Sequence, residues 1–176
     1  MNLSKIDGSW KIRCFDKDGN PKWEDSWDNL VTDQALNYAL AVTLPQHGAS
    51  PIDTITEWKI GLTGPDPDPN PADTIAVHPG WMEVHAYEGD RKDWVSGAVE
   101  DKTVTNAENP AVFRGDTDGT IVGGAILVGG GILFSVGKFT RGNKPLDAGD
   151  TVEVISTYKM ISVEPEPEPV TEPDPD

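Results

Sequence analysis

The sequence predicts a mainly β fold: an antiparallel β-sandwich of about eight strands, with one short helix and an acidic, proline-rich tail. Three observations carry that prediction. Apolar and polar residues alternate in several short runs, which is the period of a half-buried strand. Glycine (18) and proline (15) are both frequent for a chain of 176 residues, so turns recur. Six tryptophans fall mostly one to an alternating run, as anchors for a sheet core. The length suits one domain, expected over residues 1–162, with 163–176 as an extended or disordered tail.

Each element follows from its residues. In SWKIRCF, Trp10, Ile12 and Cys14 alternate with Lys11 and Arg13, and PKWEDSW repeats the pattern through Trp23 and Trp27. DKDGN between them is turn chemistry, so 9–27 reads as a β-hairpin. Over 32–44 the period changes: Leu36, Ala39, Leu40 and Thr43 recur at helical spacing, with Ala35 and Val42 beside them. Thr32 is the expected N-cap and Pro45 the stop; the small residues predict a helix lying close against a sheet. TITEWKIGL is a strand through Trp58, Ile60 and Leu62. GPDPDPNPAD carries four prolines and is expected to be an exposed extended loop. WMEVHAY is a short strand, and 103–115 a strand, a turn and a strand. TIVGGAILV and ILFSVGKF flank Gly129-Gly130-Gly131 as a hairpin. LDAGD is a turn. TVEVISTYKMIS, the longest alternating run, places Val152, Val154 and Tyr158 on one face and belongs inside a sheet.

The formal charge is −16. Six of the 30 acidic residues lie in the last thirteen positions, and the remaining 24 still outnumber the 14 basic ones. That sign repels phosphate backbones and argues against nucleic-acid binding. No apolar run reaches membrane-spanning length, and the N-terminus has no signal-peptide apolar core, so synthesis in the cytoplasm without membrane insertion is expected. Cys14 is the one cysteine, so no disulfide forms within a chain. The tail VEPEPEPVTEPDPD has too little apolar surface to offset its ordering entropy.

The stretch ADTIAVHPGWMEVHAYEGDRKDW (72–94) carries the side chains an active site uses. The chemistry does not follow from their order. His78 and His85 stand seven apart across Pro79 and Gly80, so they cannot share a helical face, and His47 is distant. DKDGN and DTDGT begin like calcium loops, but the sixth and twelfth positions are Pro21 and Trp27 in one and Ile121 and Leu127 in the other. No GxSxG elbow and no phosphate loop occur. No catalytic residue, metal or cofactor is therefore expected. Trp81, Tyr87 and Trp94 read as packing anchors, Arg91 as the partner of a carboxylate such as Glu83 or Asp73, and His78 as a loop hydrogen-bonder.

The order of motifs resembles a group of small tailed-bacteriophage structural proteins. The matching pieces are Asn29-Leu30-Val31-Thr32, Leu36-Asn37-Tyr38, Trp58-Lys59-Ile60-Gly61-Leu62 and Ala72-Asp73-Thr74. They continue with His78 to Tyr87, Arg91 to Trp94, Asn106 before Phe113, Gly123 to Leu127 and Gly149-Asp150-Thr151, over roughly 28–158. The resemblance implies a non-enzymatic virion protein: a capsid decoration (cement) or head-surface component, or a neck or tail adaptor. It implies virion proteins as partners, several copies on the particle, and no catalytic residue. The six tryptophans and the acidic surface leave a third reading open, a host-glycan-binding module of a fibre assembly.

Overall fold

The N-terminal alternating run pairs into a hairpin longer than the sequence indicated. The structure, a computed structural model, describes residues 3–44 and 54–163. In it β1 (Leu3–Phe15) and β2 (Pro21–Asp28) set Trp10 opposite Trp27 and Cys14 opposite Trp23. The chain continues through β3 (Leu30–Val31), α1 (Asp33–Thr43), β4 (Trp58–Thr63), β5 (Glu83–Val84), β6 (Lys92–Asp93), β7 (Thr103–Thr105) and β8 (Ala111–Arg114). It ends with β9 (Thr120–Val122), β10 (Gly124–Gly129), β11 (Ile132–Lys138), β12 (Lys144–Leu146) and β13 (Thr151–Val163).

Two antiparallel sheets face each other. The first runs β2–β1–β13, and β7 and β8 share the far edge of β13. The second runs β3–β11–β10–β4, and β5 and β6 share the far edge of β4. A small ladder joins β9 to β12. Alternation decides what lies between the sheets. Trp10, Ile12 and Cys14 of β1 and Val152, Val154 and Tyr158 of β13 meet Ile60 and Leu62 of β4 and Ala125 and Leu127 of β10. Among the described residues the strands number thirteen against the expected eight or so, because connections also pair in two- and three-residue pieces too short to show a period.

The β10–β11 hairpin turns at Gly130 and Gly131, both at positive φ (53° and 80°), as a two-residue primed turn requires. Its register then shifts: Leu127 pairs with Ser135 but Val128 with Leu133, which leaves Phe134 as a bulged extra residue. Phe134 packs on the inter-sheet core, and Ser135 Oγ meets the Tyr158 hydroxyl. Leu133 and Val136 face the opposite side.

That opposite side of the second sheet is a smaller core, Ile126, Val128, Leu133 and Val136 beneath Trp81. The helix lies beside it. Thr32 caps it as expected, accepting from Ala35 N–H (3.2 Å), and its hydroxyl also donates to the Leu133 carbonyl. Gln34 accepts from Leu133 N–H (3.0 Å). These ties set the rotation of α1 and correct the expected face. Ala35 is its buried residue, while Leu36 and Leu40 are exposed, Leu40 by 60%. Three further expectations change. The 81–87 strand shrinks to Glu83–Val84, the 120–128 run breaks at Gly123, and the proline loop buries Pro67 and Asp73. Pro45 and His47 lie outside the described residues, as does the tail from 164 onward; Val163 itself closes β13.

Candidate functional site

Residues 73–94 form one continuous structure: a cap on the second sheet that turns into a wall between the sheets. The cap begins at Trp81, buried on Ile126, Val128, Leu133 and Val136. Its indole N–H donates to Asp73 (2.9 Å), a buried carboxylate that also accepts from Asn70 N–H (3.0 Å). His78 stacks on Trp81 with centroids 3.8 Å apart and planes at 15°. Its Nδ1 lies 3.0 Å from the Trp81 carbonyl; a carbonyl only accepts, so the ring donates there. A Cβ on Gly80 would lie 2.1 Å from the Asp68 carbonyl, so glycine allows the cap to close on the proline loop.

Glu83 and Arg91 form the next tie. Arg91 Nε and Nη2 donate to the two Glu83 oxygens at 2.7 and 2.6 Å, a two-pronged pair. Glu83 is the better buried partner. The pair lies across Gly61 of β4, where a Cβ would sit 2.5 Å from Glu83 Oε1. The hydrogen bond to Glu83 raises the Arg91 pKa further. Of the two carboxylates that the sequence offered to Arg91, the structure pairs Glu83, and gives Asp73 to Trp81.

Tyr87 and Trp94 turn the other way, into the inter-sheet core. Tyr87 meets Phe113 edge-on at 4.7 Å, and Trp94 meets Tyr158 edge-on at 6.1 Å. The Tyr87 hydroxyl and the Trp94 indole N–H find no partner among the described residues, so their rings, not their polar tips, hold them. Burial pushes the Tyr87 phenol up, so it stays neutral. Backbone bonds complete the wall. Trp94 N–H donates to the Trp58 carbonyl (2.8 Å), Glu88 N–H to Arg114 (2.8 Å) and Gly97 N–H to Thr105 (2.9 Å). Those bonds link the segment to β4 in one sheet and to β7 and β8, at the edge of the other.

The polar side chains Asp73, His78, Glu83 and Arg91 are bonded within the segment. A groove of about 540 Å³ lies between segment 54–57 and the Gly129–Gly131 turn, with Lys59 and Arg91 at its rim. Both cations are engaged, Lys59 with Asp93 and Arg91 with Glu83. Among the described residues no three His, Cys, Asp or Glu side chains gather to hold a metal. In DKDGN, Asp16 accepts from the N–H groups of Asp18 (2.9 Å) and Asn20 (2.8 Å), and Gly19 takes φ 83°. It is a turn.

Sequence reasoning missed two ties. One is Asn29, packed against Gly8 so closely that a Cβ there would fall 2.0 Å from its amide. With the amide oriented to suit its neighbours, Asn29 accepts from Trp10 Nε1 (2.8 Å) and donates to the Gly8 carbonyl (3.1 Å). The other is Lys22, which donates to Asp147 (2.8 Å) and to the buried Asp150 (2.6 Å). Asn29 and Asp150 stood in the motifs read from the sequence, but nothing along the chain marks their partners. Comparison with protein-family models, curated proteins and solved structures finds no match for the chain.

Proposed function

We propose that this chain is a non-enzymatic structural component of a tailed-bacteriophage virion, by preference a capsid decoration (cement) or head-surface protein. One observation carries the reading. The motif residues with the most chemical potential, Asp73, His78, Glu83 and Arg91, are bound to partners within their own segment. They brace a wall of short strands and loops across two sheets, which suits a protein that presents a fixed surface to neighbours. Of the ordered motifs that resemble small phage structural proteins, Trp58–Leu62, Ala72–Thr74, His78–Tyr87, Arg91–Trp94 and Phe113 lie in this wall or in the strands it joins, and the others lie in or beside β3, α1, β7, β10 and the start of β13. Exposed apolar side chains such as Val77, Met82 and Val99 suit contacts with other virion subunits. Copies on a symmetric particle gain avidity without new chemistry.

The tryptophans weigh against the glycan-binding reading. Trp10, Trp27 and Trp81 are buried, and Trp23, Trp58 and Trp94 are partly buried against the inter-sheet core, so none of the six is a fully exposed stacking ring. Cryo-electron microscopy of the particle tests the proposal. Density for this fold at symmetric shell sites is the expected result. Density confined to the portal vertex or tail makes the chain an adaptor, and absence from purified particles overturns the reading.

A further inference from the structure

The sandwich does not use the full length of its two longest strands. β1 and β13 pair along all thirteen residues of each, but β2 joins β1 only from Ser9 onward. Asn29 takes the next place, its N–H donating to the Gly8 carbonyl (2.9 Å). Beyond it, residues 3–7 pair with 159–163 of β13 alone, while the far side of β13 is still paired at Lys159 (with Thr103) and bonded at Met160 (to Lys102). No described strand pairs with residues 3–7 on the side away from β13. In an antiparallel ladder the N–H and C=O of one residue point to the same side, and successive residues alternate. The Gly8 carbonyl points to Asn29, so the N–H and C=O of Ile6 point to that same open side. Its opposite number agrees: Met160 N–H points away from β1 and donates to the Lys102 carbonyl (2.9 Å). An open edge of this kind is a template for another strand.

We propose that this edge pairs antiparallel with the same edge of a second copy of the chain, about a twofold axis through Ile6. Ile6 then exchanges both its backbone hydrogen bonds with Ile6 of the second copy, and Lys5 stands opposite that copy's Asp7. The side chains are self-complementary in this register. Lys5 and Asp7 share one face, are 55% and 57% exposed and pair with each other within the chain (3.2 Å), and Lys159 stands opposite Asp7. In the dimer each Asp7 lies between Lys159 of its own chain and Lys5 of the second copy, which replaces its own exposed Lys5 as partner. On the other face Met160, 51% exposed, stands opposite Ile6, so a row of Met160, Ile6, Ile6 and Met160 crosses the axis. Moving the axis to Lys5 would set like charges face to face, which is unfavourable. The alternation of cation and anion two residues apart is what selects a second copy as the occupant. Asn29 blocks the edge at Gly8, so pairing is confined to Lys5–Asp7. Such a small interface between chains of charge −16 gives a weak dimer.

The test is sedimentation equilibrium of the full chain over rising concentration at moderate salt, with thermal melts as a check on folding. The wild type is expected to pass from monomer to dimer. Ile6→Pro removes the outward N–H without touching the β13 ladder and should abolish dimerisation. Lys5→Asp and Asp7→Lys each set like charges opposite one another and should weaken it by about tenfold or more. A one-to-one mixture of those two variants restores opposite charges at both positions and should form a heterodimer. A wild type that stays monomeric throughout overturns the proposal. So does a folded Ile6→Pro variant that still dimerises, or a mixture no more associated than its parts. The proposal stands or falls independently of any virion role.

Discussion

Arg91 and His78 sit in the same cap, yet their surroundings assign them different weights. Removing Arg91 leaves the mostly buried Glu83 carboxylate without its partner. Arg91→Ala should therefore cost about 1–3 kcal/mol, the penalty for an orphaned, largely buried acceptor. His78→Ala removes a stacking contact and one hydrogen bond at a half-buried site, and should cost about 1 kcal/mol or less. Urea denaturation of the two variants against wild type measures both. Equal losses, or a larger one for His78→Ala, would mean that the stacked ring, not the ion pair, holds the cap.

At the scale of elements, β13 carries the most. It lies between β1 on one side and β7 and β8 on the other, and Val154 is fully buried. Val154→Asp would place an unpaired carboxylate between the sheets, at a cost of several kcal/mol against a total stability of about 5–15. The variant should be unfolded by circular dichroism; a soluble protein with wild-type melting would disprove the central role given to this face. The turn before β13 predicts a pH dependence. Lys22 and the Gly119 N–H hold the Asp147 carboxyl below its ordinary 3.8. A lowered carboxyl stabilises fully above its unfolded value and loses that contribution as pH falls through the folded one. Burial, followed by the nearby Asp150, pushes the Cys14 thiol from 9.0 up to about 12, so its contribution is full below pH 9.0 and fades as pH rises towards 12. Melting temperature should thus be flat between these limits. Lys22→Met should shrink the acid limb and Cys14→Ala the alkaline one, as read from melts across pH.

At the scale of the whole molecule, the tail is the part expected to be dispensable for folding. Residues 164–176 hold five prolines and six acids, with no large apolar side chain to bury. Proline withholds a backbone donor and carboxylates resist burial, so this segment is a poor addition to a sheet. A chain ending at Val163 should melt within about 2 °C of the full chain. Loss of six negative charges should give it a small advantage at low salt that fades as salt screens repulsion. A fall of many degrees at both salt concentrations would show the tail packed against the domain.

The sequence alone determined the elements whose signal is local. Period-two alternation marked the first hairpin and β13, two adjacent glycines marked the β10–β11 turn, and Thr32 marked the start of the helix, since propensity and turn chemistry act between near neighbours. It also picked out the cap residues His78, Trp81, Glu83, Tyr87, Arg91 and Trp94 as a group. Only the tertiary structure decided what each of them touches. Glu83 rather than Asp73 meets Arg91 because Gly61, more than twenty residues earlier, clears the sheet beneath it. Tyr87 and Trp94 turn inward because the segment crosses from one sheet to the other. The helix turns Leu36 and Leu40 outward because Thr32 and Gln34 are tied to Leu133, about a hundred residues away along the chain. Periodicity shows that an apolar stripe exists; which way it faces is fixed by long-range hydrogen bonds whose partners carry no mark in the sequence.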